Sequence, residues 1–203
     1  MRKPGVRPNT FIAPLRPRAV AAVQYPKAYG FIQDTPLYVQ DAHGSCLCFA
    51  AYNAASIMDR RKGIYRPINN AEPSALYVEL GGMPADIGLN PQTLINRWMA
   101  APIGGYKLAN IEALALDDFD GMEQSIIDTG FCFMTAMLTQ ANMTQYDWAN
   151  IAGSPADGGH CFLGTGVIGS RFEDATWGET CNFEKDWFAV QGMNAWHCDL
   201  VAS

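Results

Sequence analysis

A cysteine at the start of a helix is a ready nucleophile, because the positive end of the helix dipole and the N–H groups of the first turn stabilise thiolate over thiol. Cys46 fits that description. It follows Gly44-Ser45 and opens a run to Met58 in which nearly every residue is apolar or small. Ser45 is placed to cap the turn, which puts Cys46 at the first helical position. A thiolate that attacks a carbonyl needs a partner to protonate the leaving group, and three histidines are available. His43 lies in the turn before the helix and is expected to point away from the Cys46 sulfur. His160 follows Gly158-Gly159 and begins an apolar run, so a strand can present it at a sheet edge over a cleft. His197 sits in the terminal "AWHCDL" with no turn signal around it. The favoured pair is Cys46 with His160.

The elements that must position this pair can be read from periodicity and punctuation. A helix that is apolar on all sides belongs in the middle of a domain, and the one opened by Cys46 closes on Asp59-Arg60-Arg61-Lys62-Gly63. Asn90-Pro91 and Asp117-Asp118 start two more helices, which stop near Pro102 and at Gly130, and a shorter one is expected from Ser74 to Leu80. The second half changes character. Segments 131–138, 160–169, 171–177 and 187–193 are rich in aromatic and β-branched residues and are bounded by Gly, Asn and Asp, as strands are. Helices first and strands later, without strict alternation, imply an α+β fold.

With 203 residues, 49% of them hydrophobic, the chain can bury one core, and one globular domain is expected. No window is apolar enough to span a membrane, and the basic start lacks the apolar stretch of a secretory signal, so a soluble protein made in the cytoplasm is expected. The net charge of −6 is uneven, because residues 1–20 hold five basic residues and no acid, leaving 9 basic against 20 acidic residues in the rest. An acidic body argues against nucleic acid as a partner. Pro4, Pro8, Pro14 and Pro17 make residues 1–30 an extended basic arm ahead of a domain at 31–203, suited to docking on an acidic partner or a second subunit. The six cysteines lie mostly in apolar runs, as reduced structural thiols do. Cys46 and Cys48 lack the usual metal-ligand spacing, so neither a metal nor a cofactor is expected.

Gln40, Gly44-Ser45-Cys46, Phe49, the "GGHCFLGTGV" around His160 and the following "ATWGE" together resemble the papain-like cysteine peptidases, in the family's order, from Gln40 to Gly178. The closest flavour is that of divergent members encoded by bacteriophages and prophages, in which Thr-Trp-Gly likewise stands for Asn-Ser-Trp-Gly. The resemblance implies a papain-like α+β fold, with a central nucleophile-bearing helix packed against a mainly antiparallel sheet or barrel. It also implies that the Gln40 side chain helps form the oxyanion hole, that the substrate is a protein or peptide, and that Ser45, Leu47, Gly159 and Trp177 line the cleft. Two positions depart from the pattern. Leu47 stands where a tryptophan normally follows the cysteine, and Ala175 stands where an asparagine orients the histidine. A shift of one residue brings Asp174 or Thr176 into the orienting role, and both lie on the same strand face.

Three functions of different class are compatible with these residues. The first is a peptide or amide hydrolase acting through Cys46, His160 and Gln40. The second is a papain fold retained as a scaffold, for example in a phage particle, with residues 1–20 tying copies together. The third is a cell-wall amidase of another fold with a helix-start cysteine and a strand histidine, which the Gln40 spacing and Trp177-Gly178 disfavour.

Overall fold

The computed structural model describes residues 28–30, 32, 35–40 and 42–203. The basic arm therefore lies almost wholly outside the described residues. Its last three, Ala28–Gly30, form strand β1 and pair with the sheet at Gly166–Ile168.

Helix α1 (Cys46–Arg61) comes first and packs on the sheet, followed by α2 (Ala71–Glu79) and α3 (Pro91–Ala100). The starts read from sequence have physical causes. Asn90 Oδ1 accepts from Gln92 N at 2.8 Å with Pro91 in the first turn, and Asp118 Oδ1 accepts from Gly121 N at 3.0 Å ahead of α4 (Phe119–Thr129). Gly130 ends α4 at φ 92°, a left-handed conformation that costs glycine little. α2 begins three residues earlier than the Ser74 start expected.

The sheet runs β2 (Tyr106–Leu114), β8 (Gly192–Ala202), β3 (Cys132–Thr139), β5 (Ala156–Ile168), β6 (Arg171–Thr176), β7 (Glu179–Glu184) and β4 (Asp147–Trp148), with β1 on β5. Every pairing is antiparallel except β4 with β7. The α+β class and the helix-on-antiparallel-sheet arrangement are as expected. Two buried clusters lie on either side of the central strands. Cys161 and Leu163 of β5 belong to the one around α1, whereas Phe162 joins Trp148, Phe172, Phe183 and Trp187 in the other. Burial on both faces explains why these strands read as continuous apolar runs.

Segment 187–193, read as a strand, is instead mostly helix α5 (Lys185–Gln191). Trp187 and Phe188 are adjacent and both buried in the same aromatic cluster. A strand would send them to opposite faces, whereas one helical turn packs both on one side. No helix among the described residues is long and apolar enough to cross a membrane.

The buried polar positions of α1 explain how the helix holds what precedes it. Asn53 Oδ1 accepts from Tyr38 N at 2.7 Å, and Ser56 Oγ donates to Pro36 O at 2.9 Å. Asp59, read from sequence as part of a charged end, is buried and takes Tyr106 Oη at 2.7 Å and Arg66 Nε at 2.8 Å. The three recur every third residue along one stripe of the helix, and the first two bind the segment that leads to Gln40. Asn70 Oδ1 adds a bond from Val39 N at 3.0 Å.

Candidate active site

Cys46 is the first residue of α1 and Ser45 its N-cap, but the Ser45 side chain does not cap. The Ser45 Oγ donates to His43 O at 3.4 Å, so the serine braces the turn and not the helix end. Cys46 is 1% exposed. It shares its buried cluster with Cys161, the residue after His160, and with Ala175, the residue before Thr176.

His160 sits on β5 and is completely buried, and its Nε2 lies 2.5 Å from Thr176 Oγ1. The register shows why Thr176 and not Asp174 reaches it. Leu163 pairs with Ala175 and Gly164 with Asp174, which sets Thr176 beside Phe162, one diagonal step from His160, and leaves Asp174 two residues further along the same face. Asp174 therefore does not take the orienting place. Neither of its carboxylate oxygens has a hydrogen-bond partner among the described residues, and burial pushes its pKa well above the usual carboxylate range.

Trp177 stacks on the His160 ring with centroids 4.4 Å apart and planes 22° off parallel. Thr176 pairs with Glu179, so Trp177-Gly178 is a two-residue hairpin connection with φ 50° and 81°. Positive φ at both positions is the pattern of a type I′ turn, which favours Asn or Gly at the first. A tryptophan there carries strain of roughly 1–3 kcal/mol, the kind kept where a side chain must be aimed. Gly178 cannot be replaced easily, since an added Cβ would lie 2.6 Å from Val39 Cγ2 and 2.9 Å from Val39 Cα. The hairpin tip thus abuts the segment that carries Gln40.

Gln40 Nε2 donates to the His43 carbonyl at 2.9 Å, closing the loop ahead of the nucleophile. That bond uses one of the two N–H groups of the amide. Ser45, Leu47, Gly159 and Trp177, expected along the cleft, are all buried. Four of the other five thiols are poor competitors. Burial pushes Cys132 up to about 12 and raises Cys48, Cys161 and Cys198 as well, and all six cysteines are buried.

A second constellation has the composition of a hydrolase triad. His197 contacts Ser125 Oγ at 3.1 Å and Asp199 Oδ1 at 3.0 Å. Ser125 is fully buried and its hydroxyl donates to Phe131 O at 3.0 Å, so it is a cross-brace between α4 and the sheet. Sequence reading had no signal for the polar lacing by Asn53, Ser56 and Asn70, because it depends on where the loop returns.

The fold is papain-like. Over 87% of both chains it superposes with a TM-score of 0.68 and 13% identity on xylellain, a cysteine protease from Xylella fastidiosa. A procathepsin B from Trypanosoma congolense gives 0.67 at 10% identity over 99% of this chain and 87% of that one. Procathepsin L2 from the larval midgut of Tenebrio molitor gives 0.65 at 12% identity over 88% and 70%. No family model matches the chain, and no curated protein matches it by sequence.

Proposed function

We propose that the chain is a papain-like cysteine hydrolase that cleaves a peptide or amide bond. The Cys46 thiolate adds to the carbonyl carbon, and the negative charge gathers on oxygen near the Cys46 N–H and the Gln40 amide. His160, as imidazolium, gives its proton to the departing amine as the C–N bond breaks. Neutral His160 then takes a proton from water, the hydroxide attacks the thioester, and the thiolate leaves with an acid as second product.

The observation that carries this reading is the double hold on His160, by Thr176 at Nε2 and by Trp177 across the ring face. A hydroxyl accepts an imidazole N–H as an amide oxygen does, so Thr176 serves where Ala175 cannot. With Nε2 committed to Thr176, Nδ1 is the nitrogen that exchanges a proton with Cys46. The substrate class, protein or peptidoglycan peptide, follows from the chemistry only as far as the amide bond.

The test is alkylation by iodoacetamide across pH, followed by peptide mass spectrometry, in wild type and His160→Ala. Cys46 is expected to label below pH 7, far ahead of the other five cysteines, and to lose that reactivity without His160. A slow profile matching that of Cys48 overturns the proposal and favours the scaffold reading, with residues 1–20 as the assembly arm.

A further inference from the structure

Resting on the hydrolase reading, we infer that Asp86 is a positioning residue that holds the oxyanion turn from the side opposite Gln40. Its Oδ1 accepts from the buried Gly44 N at 2.8 Å and from Tyr77 Oη at 3.0 Å, and its Oδ2 lies 3.3 Å from His43 Nδ1. On the other side of the same turn, the His43 carbonyl accepts from Gln40 Nε2 at 2.9 Å. The two residues before Ser45-Cys46 are thus clamped between a carboxylate and a carboxamide. Moving either clamp moves both the Gln40 amide and the N–H of Cys46.

The local chain is shaped to deliver this carboxylate. After α2, Gly82 lies against the Tyr77 ring, where an added Cβ would come within 2.2 Å of a ring carbon. Gly82 O then accepts from Asp86 N at 2.9 Å, and Asp86 itself adopts φ 47°, a conformation few residues other than glycine take and Asp tolerates comparatively well. Tyr77 is 1% exposed, so its hydroxyl is a fixed post and not a mobile donor. An alanine at 86 would leave the Gly44 N–H and the Tyr77 hydroxyl to find other acceptors in a closed site.

Two reactions of the same thiolate separate positioning from reactivity. Acylation by p-nitrophenyl acetate passes through an oxyanion, whereas alkylation by iodoacetamide does not. Asp86→Ala is expected to slow acylation about 10- to 100-fold, as a shift of the donors by a fraction of an ångström would. Alkylation of Cys46 should stay within about 3-fold, since no oxyanion forms. Asp86→Asn, which keeps an oxygen for Gly44 and Tyr77, should recover acylation to within about 3-fold. Equal slowing of both reactions, unchanged acylation, or no rescue by Asn overturns the role. Should thermal melting show that Asp86→Ala does not fold, Tyr77→Phe carries the test: a loss confined to acylation supports the role, and an equal effect on both reactions overturns it. A wild type in which neither reagent selects Cys46 over Cys48 overturns the hydrolase reading and the role together. A selective wild type with an indifferent Asp86→Ala overturns the role alone.

Discussion

His160 Nε2 and Thr176 Oγ1 lie 2.5 Å apart across the β5–β6 pair, in a site where the strand register leaves Asp174 out of reach. The contact to the ring therefore comes from the residue next to the tryptophan, one position later than an Asn-Ser-Trp-Gly pattern would place it. Thr176→Ala should lower hydrolytic turnover by roughly 10- to 100-fold, through loss of ring orientation. Thr176→Ser should keep most of it. Comparing turnover of an activated ester in the two variants checks this, and equal rates would show that the hydroxyl does not orient the ring.

Gly178→Ala should act on both the histidine and the glutamine side. The substitution strains a backbone at φ 81° and drives a methyl into Val39. We expect a destabilisation of about 1–3 kcal/mol in chemical denaturation, with a drop in acylation larger than unfolding accounts for at the assay temperature.

Asn53→Ala tests the lacing of α1 to the Gln40 segment. It strands the Tyr38 N–H, bonded at 2.7 Å to Asn53 Oδ1, at a cost of about 1–3 kcal/mol. If the lacing also sets Gln40, acylation should fall while Cys46 alkylation holds, the same signature as at Asp86. Ser56→Ala, which removes a bond two residues further upstream at Pro36, should lose stability with less effect on acylation.

Asp174 predicts a pH dependence of stability. Burial raises its carboxyl pKa in the folded protein, so the fold binds a proton there that the unfolded chain has already released. Its contribution is full below the unfolded value of about 3.9 and is lost as pH rises through the folded value. Asp174→Asn removes that loss. The variant should gain on wild type in urea denaturation as pH rises above about 4, until the folded carboxyl has ionised, and a constant difference would show that the carboxyl ionises freely in the fold.

The legible part of this protein is the part written in local chemistry. Cys46 at a helix start, the Asn90 and Asp118 caps and the Gly130 stop are decided within a few residues, and each stands where sequence placed it. The choice between Asp174 and Thr176 was not legible, because both share a strand face and only the register with β5 separates them. Asp59 looked like a charged helix end, yet its partners, Arg66 and Tyr106, come from other elements. The misread strand at 187–193 is of the same kind. Two adjacent aromatics suit a strand by propensity and a helix by packing, and the aromatic cluster decides. Asp86 left no sequence signal, since its role rests on a loop returning to the turn before Cys46.

β5, walled in on both sides, gives the site a parity. Its residues alternate between two closed cores, so a slip of one position against β3 or β6 would trade the imidazole for the neighbouring thiol of Cys161. Register shifts at Leu138/Thr139 and Gly164/Gly166 lie on either side of His160 and pin the frame. A single residue inserted between His160 and Gly164 should silence the protein even if it folds, whereas two inserted residues restore the frame and bring the ring back to the correct face. In this strand, placement is counted in twos.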